Sequence, residues 1–384
     1  MKIAFIDYVL EPAQPGRSGL SDIVWDMASE LINQGHEAHI IASYHTDQFP
    51  DPTVTVHNFP TPPIGYRNLI GQLWILQRAS RVIKRLNPDL IHTPEYVSTA
   101  VLSALNVKIP LILTVPGNIF HRLQYGHNYE WYYVQFLKWA ATTSSHKCAK
   151  IIAVSQEMKI WWQKIGSRPA NTPCIPSGVD AERFYPVSDA KRILGFRDDQ
   201  QIYIYAGRFS YEKGITDLIH ATALIKKTIG DTGAYFYLIG SGPMSGEITQ
   251  QIQEYGLSDR VKPIQWVPQE NLVVWYSAAD AILLPSYSEG FSRIIPEAMN
   301  CGTPVIGTKI SGTEDHVLEG FNGFLFAAHD FRELARILER CIQHPLTLRN
   351  MRLSTLDYAQ KNFQWSEIMA RIVNEVYRPA LGCV

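Results

Sequence analysis

The sequence predicts an α/β protein made of two doubly wound, Rossmann-like domains that face each other across a cleft. Three observations predict this fold class. The chain has 384 residues, too many for one compact core. Short apolar strands alternate with helical segments, as in parallel βαβ units. This alternation stops in a polar, turn-rich stretch, 176–200, and then restarts. We place the first domain at 1–185 and the second at 186–363.

The first domain is predicted from hydrophobic spacing. A Pro/Gly loop separates its first strand from a helix in which apolar residues recur at helical intervals, and Gly35 ends that helix. The predicted strands are 2–9, 37–43, 89–93 and 110–115, and the helix is 20–35.

The second domain repeats the pattern. Strands are predicted at 202–207, 234–240, 281–286 and 304–308, a further apolar segment at 261–267, and helices at 215–227, 246–256 and 271–279. The amphipathic C-terminal helix, 364–384, could return to the first domain. Ligands of open parallel sheets bind beyond the carboxyl ends of the strands, so the loops after strands are the candidate site.

Composition excludes several classes of protein. The net charge is −1, which gives no basic footprint for nucleic acid. Five scattered cysteines without a CxxC pair indicate reduced thiols and no structural zinc site. The N-terminus does not resemble a signal peptide, and no window approaches ~18 apolar residues. We therefore expect a soluble, cytoplasmic protein.

Two loops carry features of a phosphate site. Gly19 lies in a glycine-bearing loop, 15–22, that enters a helix, where backbone N–H groups could bind an anion; a tight turn explains it equally well. Arg208 and Lys213 flank a loop after a strand and suit a diphosphate, although solvated loop charges remain an alternative. Gly242, in the turn at 240–243, is a weaker candidate.

A third loop holds two glutamates eight residues apart. Pro296 cannot lie deep inside a helix, so the helix begins close before it, with Ser292 as a candidate N-cap and Gly302 after its end. Glu297 is then in the first turn and Glu289 on the preceding loop. The alternative is that each glutamate is a solvated charge or a helix-dipole partner.

The segment Glu289-Gly-Phe-x4-Pro-Glu297-Ala-Met-x-Cys-Gly-x-Pro-Val resembles the E-x7-E signature of the retaining glycosyltransferases of family 4, which have the GT-B fold. Other segments resemble this family in the same order along nearly the whole chain. They include "RSGLSDIVWDMASELINQGHEAHII", "DLIHTPEY", "IIAVSQEM", "IPSGVDAERF", "AGRFSYEKG", "LIGSGP", "AADAILLPS" and "GTEDHVLEGFNGFLF".

The resemblance implies a role for each matching residue. Arg208 and Lys213 would bind the donor's diphosphate and stabilise its leaving charge, and Glu297 would accept hydrogen bonds from the ribose. Glu289 would face the transferred sugar and is the third catalytic candidate. The further donor-binding candidates are Ser18, Gly19, Gly242, Trp266, Val267, Gly290, Phe291 and Ser292.

Two departures from the family pattern concern the first domain. Ser18 and Gly19 stand where Gly-Gly is common, and Pro116 occupies the place of a histidine that lies near the transferred sugar. Either another residue substitutes, or the histidine is dispensable, or activity is lost. The candidates for acceptor or sugar contact are His92, Glu95, Asn118 and His121.

The predicted function is metal-independent, retaining transfer of a hexose-type sugar from a nucleotide-diphosphate sugar. No Asp-x-Asp occurs for a metal clamp, and no cofactor is expected beyond the donor co-substrate. The acceptor is unidentified: a glycolipid, a polysaccharide precursor or a small molecule. The alternatives are a catalytically silent sugar-nucleotide-binding protein and another GT-B enzyme, such as an epimerase or a phosphorylase.

The basic stretch 65–88 has two interpretations. It has five Lys and Arg residues, no acidic residue and several apolar ones, and so could contact the inner, anionic face of a membrane peripherally. The other interpretation is a helix whose apolar side packs on the sheet while its basic side faces water.

Overall fold

The protein forms two compact units in the computed structural model, which describes residues 1–7, 19–43, 51–59, 69–115, 131–265 and 267–383. Unit 1 comprises Met1–Gly178 and Trp365–Val384, and unit 2 comprises Val179–Gln364. Each unit contains one six-stranded sheet in which all the paired strands run parallel. Two Rossmann-like units are therefore confirmed.

The sheet of unit 1 has the strand order β3-β2-β1-β4-β5-β6. Its strands are β1 (Lys2–Asp7), β2 (Glu37–Ala42), β3 (Thr55–Asn58), β4 (Leu90–Thr93), β5 (Leu111–Val115) and β6 (Lys150–Ala153). Its helices before the crossing into unit 2 are α1 (Gly19–Asn33), α2 (Leu69–Leu86), α3 (Tyr96–Ala104), α4 (Trp131–Lys147) and α5 (Gln156–Lys164), followed by a 3-10 turn, Pro169–Asn171.

Helices cover both faces of this sheet, which explains why its strands are apolar on both sides. Alternate residues of β1 belong to different cores: Ile3 and Phe5 pack with α1 and the C-terminal helix, whereas Ala4 and Ile6 pack with α2 to α5.

Unit 2 repeats the design with the order β12-β11-β10-β7-β8-β9. Its strands are β7 (Gln201–Ala206), β8 (Ala234–Ile239), β9 (Val261–Ile264), β10 (Ala281–Leu284), β11 (Val305–Thr308) and β12 (Gly323–Phe326). Its helices are α6 (Ala190–Ile193), α7 (Ile215–Leu224), α8 (Lys226–Thr232), α9 (Ser245–Glu254), α10 (Gln269–Ala278), α11 (Ile294–Asn300), α12 (Phe331–Gln343) and α13 (Leu346–Asn362). A 3-10 turn, Tyr211–Lys213, follows β7.

The C-terminal segment packs on unit 1. Helix α14 (Trp365–Ile372) continues through a π-helical turn, Val373–Tyr377, into the short α15 (Arg378–Ala380). The indole Nε1 of Trp365 donates to Asp26 Oδ2 on α1 at 3.1 Å, and buried apolar residues of the segment complete one core of this unit.

The structural division falls at 178/179, whereas we placed the boundary at 185/186. The intervening residues pack on unit 2 because their backbone is satisfied there: Val179 N donates to Phe363 O at 2.7 Å. The carbonyl of Phe184 accepts from Asn300 Nδ2, and the Phe184 ring stacks against that of Tyr276 with the planes inclined by 26°. The turn-rich composition of 176–200 predicts where the two domains are connected, but it does not indicate on which domain each residue of the connection packs.

The short elements were the hardest to predict. Strands β3, β6 and β12, with four residues each, have no counterpart among the predicted strands. The single helix predicted at 215–227 is instead two, α7 and α8, which meet at Ile225. Within the described ranges, no helix combines the length and apolar character needed to cross a membrane.

Candidate active site

The candidate site lies at the carboxyl edge of the sheet of unit 2. Strand β7 pairs with β10, while the chain continues from β7 to β8 and β9 on one side and from β10 to β11 and β12 on the other. This reversal of direction leaves a crevice between the loops that follow the two strands, where open α/β sheets bind ligands. Both charged loops singled out from the sequence follow these strands.

The loop after β7 holds Arg208 by its backbone and leaves its guanidinium accessible. The buried Tyr205 hydroxyl donates to the Arg208 carbonyl at 2.8 Å. Arg208 Nη2 lies 3.6 Å from Glu212 Oε1, and its side chain is 53% exposed. The fixed backbone and the exposed guanidinium of Arg208 suit the binding of an anionic ligand.

Glu212 sets the charge of this loop. Burial raises the pKa of its carboxyl, but hydrogen bonds, first from Ser210, and the positive charges of Arg208 and Lys213 lower it below the usual value overall. The Ser210 hydroxyl donates to Glu212 Oε1 at 2.7 Å. The loop therefore carries a partly neutralised positive charge rather than two unopposed cations.

Lys213 joins this loop to the loop after β10. Its Nζ lies 2.5 Å from Glu289 Oε1, and the Ser286 hydroxyl donates to the same oxygen at 2.8 Å. The two charged side chains are 24% and 11% exposed. Gly214 permits this approach, because a Cβ there would lie 2.0 Å from the Pro285 carbonyl oxygen and its φ is +60°.

Glu297 lies in the first turn of α11, as predicted. Pro296 precedes it, within the first turn, where no hydrogen bond is lost. The carboxylate is 9% exposed, with Oε1 3.6 Å from Arg293 Nη2 and Oε2 accepting from the Tyr276 hydroxyl at 3.5 Å. Burial, and then the Glu297 charge, raise the pKa of Tyr276, which stays a neutral donor.

The prediction that Ser292 caps α11 is wrong. Arg293 occupies the N-cap position with helical dihedral angles, and no side chain makes a cap hydrogen bond. Ser292 contributes its backbone instead, since its carbonyl accepts from Ile295 N at 3.1 Å. A tight turn thus precedes the helix, and sequence preference for serine at N-caps did not reveal it.

The residues between the glutamates are held by close packing. A Cβ on Gly312 would lie 2.7 Å from the Gly290 carbonyl oxygen, so the loop after β11 touches the loop after β10. The buried Phe291 ring meets those of His316 and Phe363 edge to face. These contacts fix the backbone of Gly290 and Phe291.

Gly242 has a structural reason of its own. A Cβ there would lie 2.4 Å from the Phe209 carbonyl oxygen. Phe209 N donates to Ser241 O at 3.0 Å, and the Ser245 hydroxyl both accepts from Gly242 N and donates to Gly242 O. The loops after β7 and β8 therefore require glycine here for their own packing. Val267, half-buried, follows β9 at the same edge.

Candidates in unit 1 occupy different environments. Gly19 is the first residue of α1. Glu95 is the N-cap of α3 and accepts from Ser98 N at 3.0 Å. His92 is buried, with Nδ1 2.7 Å from the Tyr377 hydroxyl and Nε2 2.7 Å from Thr114 Oγ1. Burial lowers the pKa of His92 to about 3, so the ring is neutral and its nitrogens are occupied within the core.

Four sequence candidates, Ser18, Asn118, His121 and Trp266, lie outside the described residues, and so does Pro116. In the part of the chain that is described, no group of three or more His, Cys, Asp or Glu side chains is arranged to hold a metal ion.

Several residues of this edge were missed from the sequence. Glu212 and Ser286 contact the charged side chains, and Tyr287 lies between the two loops. Arg293 could have been found, because it precedes Glu297 by four residues and such pairs meet on a helix. Glu212 and Ser286 lie on the same loops as their partners, but loops have no periodicity that indicates the contacts, and only tertiary folding brings Tyr287 against the loop after β7.

Comparison with known families assigns the chain. A family model described as "Glycosyltransferase Family 4" matches residues 17–183, and one described as "Glycosyl transferases group 1" matches residues 187–361. The chain belongs to glycosyltransferase family 4. The predicted family and enzyme class are confirmed, and this family 4 glycosyltransferase has the GT-B fold class expected from its E-x7-E segment.

The relatives found by sequence comparison are glycosyltransferases by name. It is 27% identical to the D-inositol 3-phosphate glycosyltransferase of Pseudarthrobacter chlorophenolicus, over 97% of this chain and 92% of the relative. The corresponding protein of Frankia alni is 31% identical, over 56% of this chain and about half (54%) of the relative.

Among solved structures, the sucrose-phosphate synthase of Thermosynechococcus elongatus matches with a TM-score of 0.84 and 24% identity, covering 99% of both chains. HepE of Anabaena, solved in complex with UDP-glucose, matches with a TM-score of 0.76 and 23% identity, covering 97% of this chain and 98% of its own. At these identities the likeness concerns the fold.

Proposed function

We propose that this glycosyltransferase moves a hexose from a nucleoside diphosphate sugar to an acceptor hydroxyl, with retention of anomeric configuration and without a metal ion. One observation carries the proposal: Lys213 and Glu289 meet at the switch point of the second sheet, beside Arg208. The diphosphate of such a donor requires a cation, and the adjoining sugar requires a group that accepts hydrogen bonds from its hydroxyls. Lys213 and Glu289 offer the two next to each other.

The two cations act on the leaving group. Cleavage of the sugar–diphosphate bond places negative charge on the phosphate, and cations already oriented there stabilise the transition state more than the ground state. Arg208 can bind two phosphate oxygens through its planar fork, and Lys213 supplies a point charge. With the charge neutralised by side chains, a metal clamp is not required.

The two glutamates bind hydroxyl groups. Glu297 is buried beside Arg293, and its carboxylate would accept from the two ribose hydroxyls. Glu289 would accept from a hydroxyl of the transferred sugar once the phosphate draws Lys213 away. Neither is proposed as an acid/base catalyst; the leaving phosphate takes the acceptor's proton.

The comparisons indicate which substrates to test first. HepE was solved with UDP-glucose, which supports a uridine nucleotide, and the Pseudarthrobacter relative is named for D-inositol 3-phosphate, which supports a small phosphorylated alcohol among the acceptors. Glycolipid and polysaccharide precursors belong in the same panel.

The test begins with calorimetric binding of nucleoside diphosphates and continues with donor hydrolysis or transfer in the presence of EDTA. Proton NMR of the anomeric centre in the first product reports the stereochemistry. We expect UDP binding, turnover unaffected by EDTA, and the donor's configuration in the product.

Different failures correct different parts of the proposal. Binding of a nucleoside diphosphate with neither donor hydrolysis nor transfer to any acceptor of the panel would favour the alternative, a catalytically silent sugar-nucleotide-binding protein. Inversion would contradict retention alone, and loss of turnover in EDTA that Mg²⁺ restores would contradict metal independence.

Peripheral contact with an anionic membrane forms part of the proposal. On α2 the side chains of Ile75, Leu76, Ala79 and Ile83 are buried, so the apolar side of this helix packs on the core and is not available to a membrane. Its exposed cations are Arg78, Arg81, Lys84 and Arg85, and Leu73 is 42% exposed. Contact would therefore be mainly electrostatic, at roughly 1 kcal/mol for each basic residue near the surface.

Sedimentation with vesicles containing phosphatidylserine tests this contact. We expect binding that falls steeply as salt rises and is lost in an Arg81→Glu/Lys84→Glu variant, while neutral vesicles bind neither protein. Lys226→Glu/Lys227→Glu, on helix α8 of unit 2, is the matched control. Equal binding of all three proteins, or no binding by the wild type, removes the membrane proposal.

A further inference from the structure

A single aromatic residue connects the loop that carries Lys213 to the loop that carries Glu289. Tyr287 N donates to the Glu212 carbonyl at 2.9 Å, directly beside Lys213 in the chain. A hydrogen bond between backbones of two different loops fixes their separation at that point. Tyr287 is also two residues before Glu289, so any movement of its backbone moves that carboxylate.

The ring of Tyr287 fills the space where the two loops cross. A Cβ on Gly214 would lie 3.0 Å from Tyr287 Cε1, so the ring packs directly against the end of the Lys213 turn. The ring of Tyr211, in the same turn, meets the Tyr287 ring edge to face with centroids 5.3 Å apart. The loop after β7 therefore holds the ring on two sides.

A third loop closes over this ring. His329 follows β12, and its φ of +65° is uncommon for a residue with a side chain. In this conformation its ring lies 3.8 Å, centroid to centroid, from that of Tyr287 and tilted by 31°. Loops after β7, β10 and β12 thus meet at one tyrosine.

The hydroxyl of Tyr287 faces a buried acid. Asp217 lies in the first turn of α7 and is 8% exposed. Burial, and then the charge of Asp217, raise the pKa of Tyr287, which therefore stays a neutral phenol beside that carboxylate.

We infer that Tyr287 is a positioning residue, which sets the distance between the Lys213 ammonium and the Glu289 carboxylate by joining the loops that carry them. This inference rests on the proposed function for its catalytic consequence. The mechanical part does not: without the ring, the two loops lose the packing that it provides between them, whatever ligand they bind.

Hydrogen exchange of the full chain, read over 207–214 and 285–293, tests the mechanical part. We expect Tyr287→Ala to raise exchange about tenfold or more in both loops, and Tyr287→Phe, which keeps the ring, to stay within about twofold of the wild type. Tyr255→Ala is the matched control. Tyr255 follows the last residue of α9, toward the opposite edge of the sheet, and its 40% exposed ring contacts His220 of α7. Its removal should change exchange in neither loop.

Donor turnover by the same variants tests the catalytic part. A misplaced cation lowers kcat, so Tyr287→Ala should lose roughly 10–100-fold in kcat with a smaller change in KM, and Tyr287→Phe should recover most of it. Measurements at a temperature well below each variant's Tm separate this effect from unfolding.

The outcomes are distinct. Unchanged exchange in either loop of Tyr287→Ala overturns the inference, and so does faster exchange with wild-type kcat. Faster exchange in both loops, together with a wild type that hydrolyses and transfers no nucleotide sugar, keeps the positioning role and instead refutes the proposed function.

Discussion

Lys213 and Arg208 carry the same charge but depend differently on their surroundings. Lys213 is mostly buried against Glu289, so each compensates the other's desolvation. Arg208 is half-exposed, and its contact with Glu212 at 3.6 Å is a surface ion pair worth less than about 1 kcal/mol. Substitution of Lys213 should therefore affect both stability and activity, whereas substitution of Arg208 should affect activity alone.

We predict that Arg208→Ala and Lys213→Ala each lower kcat/KM by about 10²–10³, since each removes charge stabilisation from the leaving phosphate. Arg208→Ala should leave Tm nearly unchanged, whereas Lys213→Ala should lower it because Glu289 loses its counter-ion. Steady-state kinetics and thermal unfolding check both statements.

Lys191→Ala is the matched control for Lys213→Ala. Lys191 pairs with the buried Asp280 at 3.0 Å, at the amino edge of the same sheet. Its loss should lower Tm without changing kcat/KM. Near-wild-type turnover by both site variants would contradict the proposed roles.

His92 makes the stability of unit 1 depend on pH. Its pKa is about 3 in the folded protein because the ring is buried, and roughly 6.5 in the unfolded chain. Between these values only the unfolded state takes up the proton. The free energy of unfolding therefore falls as pH decreases from about 6.5, by up to ~1.4 kcal/mol per pH unit from this group.

Urea unfolding between pH 5 and 7.5 checks this prediction. His92→Gln keeps a side chain that can hydrogen-bond to the neighbouring hydroxyls but does not titrate. We expect its stability to fall less steeply below pH 6.5 than that of the wild type, and parallel curves would exclude His92 as the source.

At the scale of elements, α11 depends on tertiary contacts. It has seven residues and no side-chain cap, too short to be stable alone. Arg352 on α13 donates to the carbonyls of Ala279 at 2.8 Å, Ser277 at 3.0 Å and Cys301 at 3.4 Å. One guanidinium thus satisfies the ends of α10 and α11, and so supports the helix that presents Glu297.

We predict that Arg352→Ala destabilises unit 2 by about 3 kcal/mol, because it leaves buried carbonyl groups without donors. Arg352→Lys should recover only part of this, since an ammonium cannot reproduce the fork that reaches three acceptors. Denaturant unfolding measures both, and the UDP affinity of the folded fraction shows whether α11 has moved. Equal stability of all three proteins would contradict the role.

The elements also show how far sequence patterns reach. Pro296 and Gly302 located α11 because each acts on its own backbone. Ser292 misled, because the N-cap preference of serine is a local tendency of about 1 kcal/mol, which does not take account of tertiary packing such as that of the neighbouring Phe291. Glu289 and Lys213 were found separately by their loops, but no periodicity indicates that they touch.

At the scale of the whole molecule, the chain leaves unit 1 beside the point where it returns. Gly178 ends the first segment of unit 1 and Trp365 begins the second. A Cβ on Gly178 would lie 2.4 Å from the Trp365 ring, which also bonds Asp26. These contacts hold the start of α14 against α1.

We predict that Gly178→Ala destabilises unit 1 by about 1–3 kcal/mol, because the added methyl group forces the indole out of its place. Gly246→Ala is the control, since that glycine lies in α9 with no neighbour within 4 Å and should be neutral or stabilising. Urea unfolding of both variants tests this, and equal stability would show that the ring can shift freely.

The sequence by itself determined the two Rossmann-like units, the strands that precede the candidate site, and the choice of Arg208, Lys213, Glu289 and Glu297 as its charged candidates. These follow from local causes: hydrophobic spacing, glycine and proline geometry, and a motif confined to a few residues. Tertiary structure alone decided that Lys213 pairs with Glu289, that Tyr287 contacts the loop after β7, that Arg352 bonds the ends of α10 and α11, and that His92 is buried. Such contacts join residues far apart in the chain, and their energies depend on packing and desolvation that no short stretch of sequence encodes.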